Sequence, residues 1–206
     1  MNTTIRVGRA ARATGLVLRP WCEADGEALV EAHRDPAMRH WLTRHVDDAE
    51  DARRWLEEQR LNWESGDRLG FAVYEAAGSG EDLDAGSGSL AGNVVLKRAA
   101  SRSGSAEVGY WTVASARGRG VASRALEAVT DWAFATFSAD GPDRLDRLEL
   151  MHQVDNLASC RVAEKAGYRL DRVLPAVPPY PLDGHLHVRG AKDSKLSAVS
   201  FGSCRT

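Results

Sequence analysis

Three things are scarce in this 206-residue sequence, and each scarcity excludes something. Cysteine occurs three times, at Cys22, Cys160 and Cys204, an odd number with no CxxC spacing. That arithmetic argues against a disulfide framework or a zinc ribbon and makes a reducing cytosol the expected setting. Long apolar runs are missing as well. Nothing approaches the roughly 18 consecutive apolar residues of a membrane span, so no membrane partner is expected. The basic opening, residues 1–14, has no apolar segment of the signal-peptide kind and reads as a flexible arm. Charge of one sign is also lacking. Lys and Arg number 27 against 29 Asp and Glu, a net charge of -2, so no global field points to nucleic acid. A soluble cytoplasmic protein, monomer or homodimer, is the expectation.

What is present is periodicity. Residues 16–21 read as a short strand closed by Pro20. Two helical stretches follow, 25–34, stopped near Pro36, and 47–64, with acidic residues in the first turn of the second. Strands are expected at 71–74, 89–96, 106–113, 145–151, 168–174 and 185–189, with helices at 118–137 and 156–166. A Gly/Ser/Asp-rich stretch, 76–89, reads as a mobile hairpin loop, and residues from 191 onward as a polar tail. The order β-α-α-β-β-β-α-β-α-β-β includes two β-α-β crossovers. It predicts one α/β (α+β) domain with a mixed central sheet and helices on both faces.

The segment ARGRGVASRAL, 116–126, places Arg117, Gly118, Arg119 and Gly120 at the entrance of the third predicted helix. Glycine there weakens a helix, and it makes sense where a ligand must approach bare backbone. Unpartnered first-turn amides and the helix dipole then form an anion site, to which the arginines can add charge. A P-loop lysine is absent, and Ser123 stands where a dinucleotide fingerprint needs Gly or Ala. A phosphate-bearing cofactor of another kind remains.

The run EVGYWTV, 107–113, followed by RGRGVASRAL, resembles the acetyl-CoA-binding segment of GNAT-superfamily N-acetyltransferases. LELMHQVDNLASCRVAEKAGYRL, 148–170, and the opening LVLRPWCEADGEALVEAHRDP resemble the RimJ/RimL-like branch of that superfamily. The resemblance implies a single-domain GNAT fold over residues 15–190, with a splayed strand pair that admits the pantetheine arm. It implies acetyl-CoA as co-substrate, with its pyrophosphate held by Arg117, Gly118, Arg119, Gly120, Val121 and Ala122. It further implies pantetheine pairing along Trp111, Thr112 and Val113, a cofactor contact from Asn156, and Ser159 near the thioester sulfur. The implied activity is acetyl transfer to a primary amine, either a protein N-terminus or a small amine. The rival is a non-catalytic acyl-CoA-binding module on the same scaffold.

Acyl transfer to an amine calls for a base, because an amine of pKa ~10 is mostly protonated at neutral pH. Glu107 aligns with the strand glutamate that serves in some superfamily members, and it shares a strand face with Gly109, Trp111 and Val113. His152 is the alternative base. Ser159 is read as a hydrogen-bond donor to the departing sulfur. His185 and His187 share a strand face, but the sequence shows no third ligand, so no metal is expected. The proline-rich 175–181 reads as a stiff loop beside the acceptor pocket, and it departs from the branch pattern, in which some members carry a glutamate there.

Overall fold

A computed structural model describes residues 3–8, 14–76, 88–98, 104–138 and 143–193, with the backbone alone at 201–203. Most of the expected loop at 76–89 lies outside the described residues, as does most of the tail. The chain begins with a strand, β1 (Thr3–Val7), and continues through β2 (Gly15–Pro20), α1 (Gly26–His33), α2 (Pro36–Trp41) and α3 (Ala49–Ser65). Then come β3 (Arg68–Ala76), β4 (Ser89–Lys97), β5 (Gly104–Thr112), α4 (Val121–Thr136) and β6 (Leu145–Gln153). α5 (Leu157–Lys165), β7 (Arg169–Leu174), β8 (Gly184–Gly190) and β9 (Phe201–Ser203) complete it. The strands form one mixed sheet in the order β7-β8-β6-β5-β4-β3-β2-β1-β9. No helix among the described residues is long and apolar enough to cross a membrane.

Two expectations are corrected. The opening residues are not wholly an arm: Thr3–Val7 pairs antiparallel with β2, and Phe201–Ser203 pairs with β1 on its other side. The physical reason is Ile5, fully buried, with alternating polar neighbours that make a short half-buried strand. Composition hid this, because the flanking arginines dominate the segment. The second correction concerns Pro36. It ends α1 but also opens α2, sitting in the first turn where its missing N–H costs nothing, while Asp35 caps the helix by accepting from the Ala37 amide at 3.0 Å.

Of the two expected crossovers, β5-α4-β6 joins parallel neighbours, the sheet's one parallel pairing among those described. The second ends on β7, which is separated from β6 by β8 inserted antiparallel between them. Even-numbered residues of β5 (Ala106, Val108, Tyr110) face α4 and join the larger core with Leu126, Val129 and Trp132. Odd-numbered ones face α1 and α3, where Trp111 packs with Trp21, Leu29 and Leu56.

The second face is fastened by Asp25, only 1% exposed. Its carboxylate accepts from both terminal nitrogens of Arg19 (2.7 and 2.8 Å), from the Tyr74 hydroxyl (2.6 Å) and from the Cys22 amide (2.9 Å). Burial alone would raise its pKa, but the hydrogen bonds from Arg19, Tyr74 and Cys22 outweigh it and hold the carboxyl below its ordinary range.

Candidate active site

β5 and β6 run in parallel register from Gly104↔Leu145 to Val108↔Leu150, and there the pairing stops. Both strands continue. Gly109 to Thr112 stay paired with β4, and Met151 to Gln153 stay paired with β8. The two strands therefore part into an open wedge, and the sheet-edge groups along it have no strand to bond. The Val113 amide bonds to the Ala91 carbonyl at 3.0 Å, which fixes the alternation. Val113 and Trp111 turn their backbone groups toward β4, so Tyr110 and Thr112 turn theirs into the wedge. The side chain of Trp111 belongs to the opposite core, with its ring centroid 5.9 Å from that of Trp21 and 5.8 Å from that of His33.

At the wide end of the wedge lies the glycine turn. Gly118 and Gly120 both adopt left-handed backbone, φ 74° and 76°, a conformation that L side chains rarely adopt. No described atom lies within 4 Å of where a Cβ would stand at Gly118. The glycines are needed for the turn itself, and the space in front of them is open. The first helical hydrogen bond of α4 runs from the Arg124 amide to the Gly120 carbonyl at 3.2 Å. The amides of Val121, Ala122 and Ser123 thus precede the helical ladder, at the positive end of a 16-residue helix. Val121 is buried in the core and anchors this end.

The arginines of the turn are engaged within the protein. Arg117 pairs with Asp35 and donates to the Thr112 carbonyl at 3.2 Å. Arg119 pairs with Glu75, which also accepts from the Thr14 hydroxyl at 2.6 Å. Arg124 donates to the Gly8 and Thr14 carbonyls, both at 2.7 Å. All three bind the mouth of the turn to surrounding elements.

α5 crosses the wedge from the α4 side. Asn156 is its N-cap and accepts from the Ser159 amide at 3.1 Å, so Asn156 and Ser159 meet as their three-residue spacing expects. The Ser159 hydroxyl accepts from the Tyr110 hydroxyl at 3.0 Å. Burial pushes the Tyr110 pKa up to about 12, which keeps the phenol protonated at neutral pH. Sequence reasoning missed Tyr110, although strand alternation put it on the face opposite Glu107, where α5 lies. Tyr168, the other tyrosine of this region, is fully buried, and its hydroxyl donates to Thr130 at 2.6 Å, since Thr130 spends its own proton on the Leu126 carbonyl.

Glu107 lies on the narrow side of the wedge, one residue before the strands part, and is ion-paired with Lys97. His152 is directed away from it. The His152 Nδ1 bonds to the Gln153 carbonyl at 2.8 Å, and its Nε2 is buried among His185 and His187. Burial lowers the pKa of His152, with smaller contributions from those two rings. A shallow groove of about 190 Å³ opens between α2 and the loop before β8, lined by His40, Trp41, Gln153, Asp155 and Tyr180 among others. The proline-rich loop therefore does border a groove at the end of β6. The Gln153 Oε1 is buried with no partner among the described residues.

A mixed sheet whose one parallel pair opens over a glycine turn defines the scaffold class. The acetyltransferase (GNAT) domain family model matches residues 15–169, three quarters of the chain, and the protein belongs to that family. Solved structures agree on the fold. Mycobacterium smegmatis RimJ in complex with CoA-disulfide is 21% identical with a TM-score of 0.72, covering 96% of this chain and 91% of that one. RimL, a ribosomal L7/L12 alpha-N-protein acetyltransferase solved with coenzyme A, is 20% identical at TM-score 0.66, covering 92% and 99%. The microcin C7 self-immunity acetyltransferase MccE, solved with acetyl-CoA and AMP, is 16% identical at 0.68, covering 85% and 92%. No curated protein matches the chain.

Proposed function

We propose that this protein transfers an acetyl group from acetyl-CoA to a primary amine, a peptide N-terminus or a small amine, by direct attack in a ternary complex. The observation that carries the reading is the wedge beyond Val108 and Leu150, with the glycine turn at its mouth and the Tyr110–Ser159 pair over it. The amides of Val121, Ala122 and Ser123 take the pyrophosphate against the bare backbone of Gly118 and Gly120. The backbone of Tyr110 and Thr112 pairs with the pantetheine arm as a missing strand would, flanked by Trp111 and Val113.

The neutral amine attacks the thioester carbon, the C–S bond breaks, and the thiolate needs a proton. An amide of the wedge stabilises the carbonyl oxygen as charge develops on it. Because Tyr110 donates to Ser159, the serine O–H is free to hydrogen-bond the departing thiolate, which takes its proton from solvent. Glu107 accepts the proton of the attacking amine and exchanges its ion pair with Lys97 in doing so. Gln153 and Asp155 offer acceptor oxygens to the rest of the acceptor molecule in the groove. His152, bonded away from the wedge, is left out of the proton transfers.

Calorimetric titration with acetyl-CoA, followed by a free-thiol assay against amines and N-terminal peptides, tests this. Glu107→Gln and Ser159→Ala are expected to lower kcat by about 10²–10⁴-fold while leaving acetyl-CoA affinity within a few-fold. Binding with no thiol release on any amine would replace the enzyme reading with that of an acyl-CoA-binding module.

A further inference from the structure

We propose that His152, His185, His187 and Cys160 form a binding site for one zinc-type transition-metal ion beneath α5. In the antiparallel register of β6 and β8, His152 pairs with His185 and Leu150 pairs with His187, so all three imidazoles project from one face of the sheet. α5 covers that face and brings Cys160 to them. One donor atom from each of the four residues lies within 4.8 Å of the others. The ring centroids of the histidines stand 5.1 to 6.0 Å apart. The Cys160 Sγ is 3.2 Å from the His185 Nδ1.

The pattern of hydrogen bonds marks the group as a ligand set. The His152 Nδ1 contacts the Gln153 carbonyl at 2.8 Å and the His187 Nδ1 contacts the Tyr168 carbonyl at 3.4 Å. A carbonyl only accepts, so in each ring Nδ1 carries the hydrogen and Nε2 keeps its lone pair. Both Nε2 atoms are buried with no partner among the described residues, and His187 is only 1% exposed. A buried nitrogen left unpaired is costly, because it has given up water and gained nothing in return. Metal-bound histidines have this arrangement, with the outer nitrogen fixed by a carbonyl and the inner one on the ion.

Three imidazoles and one thiolate select a borderline-soft ion over magnesium or calcium, and a tetrahedral zinc ion suits the set. With bonds of about 2.0–2.3 Å the four donors would draw together by roughly 1 Å. Binding releases the Cys160 proton to solvent as the sulfur–metal bond forms. Four protein donors leave no open position, so the ion ties α5 to β6 and β8 and takes no part in acetyl transfer. It would hold α5, and with it Ser159, in register.

The test uses the full chain, stripped by chelator and titrated with cobalt(II), with zinc(II) added in competition. The expected result is one equivalent bound with tetrahedral d–d bands and a sulfur-to-cobalt charge-transfer band, displaced by zinc. Cys160→Ser should abolish the charge-transfer band. His187→Gln should weaken binding by more than the ~10–100-fold that loss of an outer-sphere partner costs. His187 is in the core, so His185→Gln, less buried, serves as a second variant, with circular dichroism reporting that each is folded. An octahedral spectrum without charge transfer, or equal affinity in the wild type, Cys160→Ser and His185→Gln, overturns the proposal.

Discussion

Asp25 and the histidine–cysteine group are buried polar clusters on opposite faces of one sheet, and they are built on opposite terms. Around Asp25 every near donor has been spent: two arginine nitrogens, a phenol and an amide converge on two carboxylate oxygens. Around His152 and His187 the outer nitrogens are satisfied and the inner ones are not. Burial makes an unpaired polar atom expensive, so a cluster that saturates itself serves the fold, whereas one that leaves lone pairs aimed inward is shaped for a visitor. The same distinction separates the arginines of the glycine turn, all partnered, from the first-turn amides beside them, which are not in the helical ladder.

The largest effect should come from breaking the saturated cluster. Asp25→Ala strands the Arg19 guanidinium and the Tyr74 hydroxyl, and urea unfolding should show a loss of about 3–5 kcal/mol. Because the folded carboxyl titrates below its ordinary value, the contribution of Asp25 is complete above pH ~4. It disappears as pH falls through the folded pKa, so the difference between wild type and variant should shrink under acid. A loss under 1 kcal/mol would mean that saturation there contributes little.

His33 sharpens the contrast. It is 3% exposed beside Trp111, with neither ring nitrogen partnered among the described residues, and burial lowers its pKa to about 4. The unfolded ring binds a proton below about pH 6.5, whereas the folded one waits until about pH 4. Stability is therefore undiminished above the unfolded value and falls as pH drops between the two, by an amount of order 3 kcal/mol. His33→Leu should flatten that part of the curve, and an unchanged slope would show that the ring is charged where it lies.

Gly120→Val extends the comparison to backbone. The left-handed φ makes a β-branched residue strained by about 1–2 kcal/mol, and the new methyls would stand in front of the first-turn amides. Acetyl-CoA affinity should fall by at least ~100-fold, measured by calorimetry on protein whose melting curve remains cooperative. Affinity within a few-fold of wild type would place the cofactor elsewhere.

Much of this was legible in the sequence. The apolar period around Leu126 and Val129 marked α4, the RGRG turn marked its entrance, and the three-residue spacing of Asn156 and Ser159 put them together at the cap of α5. What could not be read was register across the sheet. Tyr110 meets Ser159 because β5 passes under α5, and the two are 49 residues apart. His152 meets His185 because β8 inserts beside β6, a placement that the order of elements does not dictate. A pair of histidines with no third ligand in sequence gained two more from topology. β1 was hidden for a different reason, a strand of five residues whose single fully buried side chain is Ile5.

The smallest effect is expected where sequence and structure differ most in emphasis. Arg119 reads from sequence as a rim for the cofactor's phosphates, yet it is paired with Glu75, and the Arg119 side chain is about half exposed. Exposed pairs of this kind contribute at most about 1 kcal/mol, and Thr14 still satisfies Glu75 when the arginine is gone. If partnered groups serve the fold and unpartnered ones the ligand, Arg119→Ala should lower stability by less than about 1 kcal/mol. It should change acetyl-CoA affinity by no more than a few-fold, with the same salt dependence as wild type. A drop of 10-fold or more, steeper at low salt, would show that Arg119 leaves Glu75 for the cofactor. Partnership in the free protein would then be a resting position for a ligand group rather than a sign that its role is structural.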